Sequence, residues 1–218
     1  MLRRVPAWLS LLAIAGCAAG AGPPVEKPLS FVEVKFAHTV RQQFDFSCGA
    51  ATVATMLTYY WGRETSEIEV MKVLRSRYPS EDWKKLQDQG FSFDDLIWAV
   101  NKFGFEGQGA ELPAEELAKL GGPVIVHLNK GKFEHFSVVR AAKAGNVFLS
   151  DPVTGAVTMS QEEFSRQYTG KALAIWKRGA QLPKMAILAR PYPPIDPSAV
   201  VGGAINFQQP VPPPIIGR

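Results

Sequence analysis

The order of apolar and polar positions predicts helices in the first half of the chain. Apolar residues recur at helical spacing in two segments that each begin with a serine, Ser66–Tyr78 and Ser92–Phe103. From Ala50 to Trp61 the residues are mostly small or apolar, which predicts a buried helix whose first turn holds Cys48. Ahead of these helices, apolar and polar residues alternate over Phe31–Phe36, and this alternation predicts a half-buried strand.

The second half of the chain changes to the pattern of a sheet. A short helix is predicted over Ala114–Leu120, and the continuous apolar run Pro123–Leu128 is typical of a central strand. Further strands are predicted where short β-forming segments lie between turn residues: His135–Ala142, Val147–Leu149, Val157–Met159 and Ala172–Lys177. Helices followed by strands predict an α+β domain, with the helical part packed on one antiparallel sheet.

Composition narrows the class of protein. The chain has 218 residues, of which 46% are hydrophobic and 20% charged, as expected of one globular domain rather than a disordered chain. The formal net charge is only +4 and there is no long run of Lys or Arg, so nucleic acid is not an expected partner. No P-loop pattern occurs, which excludes an ATP-driven transporter within this sequence.

The N-terminal residues predict export. Residues 1–16 have two arginines followed by a short apolar stretch, as in a signal peptide, and the residues leading to Cys17 resemble a bacterial lipoprotein box. Cys17 is therefore predicted to carry lipid, in a periplasmic protein anchored to the outer membrane; ordinary signal cleavage near Ala18–Ala21 is the alternative. Residues 17–30 are predicted to be a linker, 31–180 the folded domain and 181–218 a Pro-rich tail.

Cys48 is the one thiol that remains if Cys17 is lipidated or removed. Exported proteins usually pair their cysteines, so a single thiol is either a buried apolar residue or a reactive group. Cys48 falls at the start of a predicted helix, capped by Ser47 or Asp45, where the helix dipole favours a thiolate. We therefore interpret Cys48 as a candidate nucleophile.

A cysteine nucleophile needs a histidine base, and the spacing of the predicted strands suggests one. His135 begins one strand and Asp151 ends the next. If the two strands form a hairpin, these two residues lie side by side, and the carboxylate can orient the imidazole. The alternative for Asp151 is simple turn chemistry ahead of Pro152.

Three separated motifs resemble one known family. They are Gln42–Ala51 (QQFDFSCGAA), His135–Val139 (HFSVV) and Asp151–Gly155 (DPVTG), and the resemblance extends over roughly residues 36–178. The sequence is similar to the bacteriocin-processing peptidases, which are papain-like cysteine peptidases that cleave leader peptides after a double glycine. The resemblance implies a papain-like α+β fold.

The resemblance also implies a role for individual residues. Cys48 would be the nucleophile, His135 the general base and acid, and Asp151 the group that orients His135. Gln42, six residues before Cys48, would donate a hydrogen bond to the oxyanion together with the Cys48 N–H; Gln43 is the alternative. Such a mechanism passes through a thioester and needs no cofactor.

The better-known members of that family are domains of ABC exporters, whereas this sequence has a predicted export signal. It looks more like stand-alone exported members associated with surface-fibre and functional-amyloid secretion. The expected partners are a protein or peptide substrate, including fibre subunits or a secretion pore, and a membrane contacted through the lipid anchor. The sequence leaves the cleavage site open, and with it the question of whether a double glycine is required.

The sequence is also compatible with other functions and other residue roles. The domain could be a catalytically silent peptide-binding or chaperone-like module of a secretion system, or it could transfer the acyl group to an acceptor other than water. His127 is predicted to be a core histidine, and Gln42 has an ordinary loop residue as its alternative. A zinc site of Cys48, His127, His135 and Asp151 has suitable ligand types, but none of them has the short spacing of metal ligands.

Overall fold

The computed structural model describes residues 29–120, 122–131 and 133–179. The predicted signal peptide (1–16), Cys17, residues 17–28 of the predicted linker and the predicted tail (181–218) lie outside the described residues. Within the described part, no helix is both long enough and apolar enough to cross a bilayer.

In the described chain, five α-helices precede the first strand and a sixth lies between the last two strands. They are α1 (Phe31–Lys35), α2 (Cys48–Thr55), α3 (Glu67–Arg77), α4 (Ser80–Gln89), α5 (Phe93–Lys102) and α6 (Gln161–Gln167). A π-helical turn, Met56–Tyr60, continues α2. The predictions of a buried helix starting at Cys48 and of helices at 66–78 and 92–103 are confirmed, whereas α4 and α6 were not predicted.

Local capping explains why α3 and α5 begin where they do. Ser66 caps α3, and its hydroxyl accepts from the N–H of Glu69 while the Glu69 carboxylate accepts from the N–H of Ser66. Ser92 and Asp95 form the same reciprocal pair at the start of α5. Each box satisfies two N–H groups that the helix itself leaves without partners.

The strand predicted at Phe31–Phe36 is wrong, because this segment forms helix α1. Ser30 and Glu33 close a third capping box: the Glu33 N–H donates to Ser30 Oγ over 3.2 Å, and the Ser30 N–H donates to Glu33 Oε2 over 2.7 Å. Phe31 is exposed, so the alternation of apolar residues does not mark a buried face. The local capping signal therefore outweighs the strand pattern here.

The second half forms one antiparallel sheet of six strands in the order β1-β6-β2-β3-β4-β5. The strands are β1 (Phe105–Glu111), β2 (Val124–Asn129), β3 (Glu134–Lys143), β4 (Asn146–Asp151), β5 (Gly155–Ser160) and β6 (Tyr168–Lys177). The predicted α+β architecture is confirmed. Strand β1 was not predicted, and the helix predicted at 114–120 is a 3-10 helix, Ala114–Lys119.

Both faces of the sheet are covered, which explains the continuous apolar run of β2. Ile125 packs in a cluster with α2, α3 and α5, while its neighbours Val124 and Val126 pack in a second cluster that includes Phe164 of α6 and Leu117 of the 3-10 helix. Successive residues of a strand point to opposite faces, so a strand that is covered on both sides is apolar throughout.

Strands β3 and β4 form a hairpin that contains one irregularity. The two turn residues, Ala144 and Gly145, both have positive φ, as in the two-residue turns that suit the twist of a hairpin. Further along, Val139 pairs with Leu149 but Ala141 pairs with Phe148, so Arg140 is an extra residue on β3, a β-bulge.

Candidate active site

Cys48 is the first residue of α2 and is a buried residue, 8% exposed. It forms no disulfide. Every residue of α2 is buried, so the helix is a rigid support for the thiol. Gly49 follows at a position where a side chain would be tightly packed: a Cβ there would lie 3.0 Å from Leu96 Cδ2 and 3.2 Å from Phe136 Cδ2. The close packing of α2 against α5 and β3 thus fixes where the thiol lies.

His135 is buried near the start of β3 and bridges two groups. Its Nε2 lies 2.8 Å from Asp151 Oδ2, and the ring also forms a hydrogen bond with the Cys48 side chain. Since Nε2 faces the carboxylate, Nδ1 is the nitrogen left for the thiol. Burial lowers the pKa of His135, but the hydrogen bonds and charges of Asp151 and Cys48 outweigh burial and raise this pKa above its ordinary value.

Asp151 ends β4 and uses its two carboxylate oxygens for different purposes. Oδ1 accepts the N–H of Val153 over 2.9 Å and the N–H of Thr154 over 3.0 Å, which closes the turn into β5. Oδ2 faces His135 and also accepts from Lys130 Nζ over 3.2 Å. The turn chemistry and the pairing with histidine, posed as alternatives from the sequence, are both present.

The ion pairs of Asp151 also determine its charge. Burial raises the pKa of Asp151, but the hydrogen bond and charge of His135, the charge of Lys130 and the Thr154 N–H outweigh burial. The pKa of Asp151 therefore lies well below its ordinary value, and the carboxylate is ionised at neutral pH.

Gln42 lies on the segment that leads to Cys48 and is tied to the turn after Asp151. Its backbone N–H donates to Pro152 O over 2.9 Å, and its side-chain Nε2 donates to Phe44 O over 3.0 Å. Its amide oxygen is buried and accepts no hydrogen bond from the described residues. Gln43 differs, because its side chain is exposed and its backbone N–H donates to the Glu67 carboxylate.

Sequence reasoning missed two residues of this region, Lys130 and Glu67. Lys130 lies in the β2–β3 turn, where only the fold brings it to Asp151. Glu67 lies in the first turn of α3, where an acidic residue is expected because it suits the helix dipole. However, it precedes Val70, Met71 and Leu74 by three, four and seven positions, on the buried stripe of α3, and that spacing was the available signal.

A thiol, an imidazole and a carboxylate in this order are the groups of a nucleophile, its base and the group that orients the base. Residues 37–180 match the Peptidase C39 family. The chain belongs to the peptidase C39 family. It is a cysteine peptidase, and the resemblance to bacteriocin-processing peptidases is confirmed.

Several C39 relatives and solved structures are similar to this chain. The probable functional amyloid protease FapD of Pseudomonas fluorescens is 30% identical over 175 residues, which cover 80% of this chain and 75% of that protein. The peptidase domain of Streptococcus ComA has a TM-score of 0.56 at 24% identity and is covered over 98% of its length, against 65% of this chain. A double glycine motif protease from an AMS/PCAT transporter, solved with a leader peptide, has a TM-score of 0.51 at 28% identity, covering 64% of this chain and 90% of that one.

The remaining histidines of this C39 peptidase have other surroundings. His127 is half-buried, with Nδ1 3.1 Å from Thr169 Oγ1 and Nε2 3.0 Å from Glu134 Oε2, so both ring nitrogens have partners. Burial lowers the pKa of His38, and the charge of Arg140 adds to this effect. Among the described residues, no group of three or more His, Cys, Asp or Glu is placed to hold a metal ion, so a zinc site of Cys48, His127, His135 and Asp151 is not formed.

Proposed function

We propose that this C39 peptidase hydrolyses a peptide bond of an exported protein, with Cys48 as the nucleophile. The observation that carries the proposal is the hydrogen-bonded chain from Asp151 through His135 to Cys48. A module that only binds peptides has no need for a buried carboxylate aligned behind a histidine that itself contacts a thiol.

The same geometry suggests each step of the reaction. His135 takes the thiol proton, and the Cys48 thiolate attacks the carbonyl carbon of the substrate. The developing oxyanion accepts hydrogen bonds from the Cys48 N–H and from the second N–H of the Gln42 amide. When the carbon–nitrogen bond breaks, His135 gives its proton to the leaving amine and a thioester remains.

Deacylation returns the enzyme to its starting state. His135, now neutral, removes a proton from water as the water attacks the thioester carbonyl. The carbon–sulfur bond breaks, and the product leaves with a new carboxylate while the sulfur regains a proton from His135. Asp151 remains ionised throughout and stabilises the imidazolium form.

The surroundings of the site favour a peptide substrate with apolar side chains. Three exposed apolar residues each lie two positions from a site residue: Phe44 follows Gln42, Phe133 precedes His135 and Val153 follows Asp151. Exposed apolar side chains beside a polar site provide contact area for a substrate that binds in an extended conformation.

The biological setting of the proposal is secretion and assembly of a surface fibre. Its support is the similarity to a probable functional amyloid protease over most of both chains. A lipid on Cys17 would hold the enzyme at the periplasmic face of the outer membrane, where fibre subunits pass. Radioactive palmitate should then label the wild type in cells and leave Cys17→Ala unlabelled; equal labelling of both would remove the anchor.

Hydrolysis is tested with a peptide library and a peptide vinyl sulfone on the purified protein. We expect cleavage by the wild type, no cleavage by Cys48→Ala, and a mass increase of one vinyl sulfone on Cys48 alone. Cleavage by Cys48→Ala at the wild-type rate would contradict the nucleophile. If the wild type neither cleaves a peptide nor becomes labelled, the domain is a silent binding module. A product joined to an added amine would indicate acyl transfer.

A further inference from the structure

Glu67 is a fully buried carboxylate without a basic partner among the described residues. Burying a carboxylate in this way is unfavourable unless several donors compensate the lost hydration. The donors are the N–H of Gln43, which lies 3.0 Å from Oε1 and 3.1 Å from Oε2, and the hydroxyl of Ser47. Both belong to the segment that leads to Cys48.

A chain of hydrogen bonds continues from Glu67 to the candidate oxyanion donor. The Ser47 hydroxyl accepts from the Phe44 N–H over 3.2 Å, and its single proton lies between the Phe44 carbonyl and the Glu67 carboxylate. The carboxylate is the stronger acceptor. The Phe44 carbonyl in turn accepts from Gln42 Nε2 over 3.0 Å and so orients that amide.

The hydrogen bond between Ser47 and Glu67 also leaves the start of α2 without a side-chain cap. Ser47 is the N-cap residue of α2, yet its side chain makes no capping hydrogen bond there. A serine at this position normally accepts from an N–H of the first helical turn. Because the Ser47 hydroxyl is directed to Glu67, the N–H groups at the positive end of α2 have no side-chain acceptor, on the side where the Cys48 N–H faces the oxyanion.

We propose that Glu67 is a positioning residue of the peptidase, which holds the Gln42–Ser47 segment so that the Gln42 amide and the Cys48 N–H converge on the oxyanion. The inference rests on the proposed function. Glu67 touches neither substrate nor sulfur and acts through Ser47 and Phe44. Through Glu67, helix α3 is hydrogen-bonded to the segment that leads to Cys48.

The test compares two reactions of the full-length protein that depend on different parts of the site. Peptide hydrolysis needs the oxyanion donors, whereas alkylation of Cys48 by iodoacetamide needs only the thiol and His135. In Glu67→Gln, we expect kcat to fall at least about tenfold per labelled active site while KM and the alkylation rate stay within about twofold.

The matched control is Glu69→Gln. Glu69 lies two residues further along the same helix with a side chain that is 49% exposed, and glutamine there keeps the capping acceptor. We expect wild-type kcat in this variant. Ser47→Ala should reproduce the loss of kcat, and the double variant Ser47→Ala/Glu67→Gln should lose no more than either single variant, because both interrupt one chain.

The outcomes separate the inference from the proposed function. Equal losses of kcat and of the alkylation rate in Glu67→Gln would make Glu67 a structural residue only, and an unchanged kcat would remove it from the site altogether. If Glu67→Gln does not fold, Ser47→Ala carries the same comparison. Hydrolysis by Cys48→Ala contradicts the proposed function instead, whatever Glu67 does.

Discussion

The two neighbouring glutamines before Cys48 have different environments, and the difference bears on which of them stabilises an oxyanion. Gln42 keeps one side-chain N–H bonded to Phe44 O, which leaves the second N–H to donate to a substrate. The Gln43 side chain is exposed, and only its backbone is held. The geometry therefore favours Gln42 over Gln43 as the donor.

Gln42→Ala is expected to lower kcat about 100-fold, because one oxyanion donor is lost. Gln43→Ala, the matched control, should retain wild-type kcat. The free energy of unfolding should not fall in Gln42→Ala, since the substitution also removes a buried amide oxygen that has no donor. Steady-state kinetics and urea unfolding of the two variants measure both effects; a loss of kcat in Gln43→Ala alone would reverse the assignment.

His135 and Lys130 both contact Oδ2 of Asp151, so a negative and a positive charge lie close to the imidazole. The Asp151 charge raises the pKa of His135, so Asp151→Asn should lower this pKa and move the acid limb of the kcat profile, below which His135 is protonated and cannot act as a base, to lower pH. Removing the positive charge in Lys130→Met should move the limb to higher pH. A pH profile of each variant checks the directions, and shifts of the same sign would contradict the shared contact at Oδ2.

Asp151 and His135 should also differ in how much activity the enzyme keeps when each of them is replaced. Asp151→Asn is expected to lose about 100-fold or more in kcat but to remain measurable, because the base is still present. His135→Ala should be near the uncatalysed background, since the base that takes the thiol proton is lost. The reverse order would mean that the two roles are exchanged.

Helix α1 meets the turn after Asp151 at a position that only glycine can occupy. Gly155 has a φ of +79°, and a Cβ there would lie 2.5 Å from the backbone oxygen of Lys35. Gly145 has a similar φ of +75° but nothing within 4 Å of its Cβ position. Comparing alanine substitutions at these two glycines therefore distinguishes the cost of backbone strain from the cost of steric overlap.

Gly155→Ala is expected to reduce the free energy of unfolding by about 3 kcal/mol or more, from a left-handed alanine plus the overlap with Lys35. Gly145→Ala should lose only about 1 kcal/mol, from the backbone alone. Chemical unfolding of both variants gives the comparison. Equal losses would show that α1 does not pack against this turn in solution.

The elements that the sequence predicted correctly are those with local signals. Helices α3 and α5 have both a capping box and an apolar stripe, and β2 has an uninterrupted apolar run. Strand β1 (FEGQGAE) has two glycines and an exposed edge, so nothing local distinguishes it from a loop; its pairing with β6 stabilises it. Helix α6 buries a single residue, Phe164, which is too little for a periodic pattern.

The residues of the candidate site also fall into those that local sequence signals identify and those that only the fold identifies. Cys48, His135 and Asp151 were singled out because residue type and predicted element boundaries coincide. Lys130 and the acceptor role of Glu67 depend on where distant segments meet, and a single sequence does not contain that information.

The stability of the whole molecule should follow the charges of the His135–Asp151 pair. The contribution of His135, whose pKa is raised on folding, is fully present below its ordinary pKa of 6.5 and is lost as pH rises through the folded value. The contribution of Asp151, whose pKa is lowered, is fully present above its ordinary pKa of 3.8 and is lost as pH falls through the folded value.

Wild type should therefore exceed Asp151→Asn in free energy of unfolding most clearly between pH 3.8 and 6.5. The expected difference is about 3 kcal/mol, because one partner of a buried pair is neutralised. Urea unfolding at a series of pH values measures it, and a difference that does not vary with pH would mean that the pair is not charged in the folded protein.

The bulge at Arg140 determines which residues of the β3–β4 hairpin lie on the same face of the sheet. In the part of the β3–β4 hairpin next to the turn, odd residues face even ones, as Ala141 faces Phe148. Continued without interruption, that count would put Asp151 opposite Val138, with its carboxylate on the reverse side of the sheet from His135. The single extra residue changes the parity, so Val138 faces Ser150 and two odd-numbered residues, 135 and 151, share a side. A regular hairpin would place the imidazole and the carboxylate on opposite faces of the sheet. One unpaired residue, several positions away from either, places them on the same face.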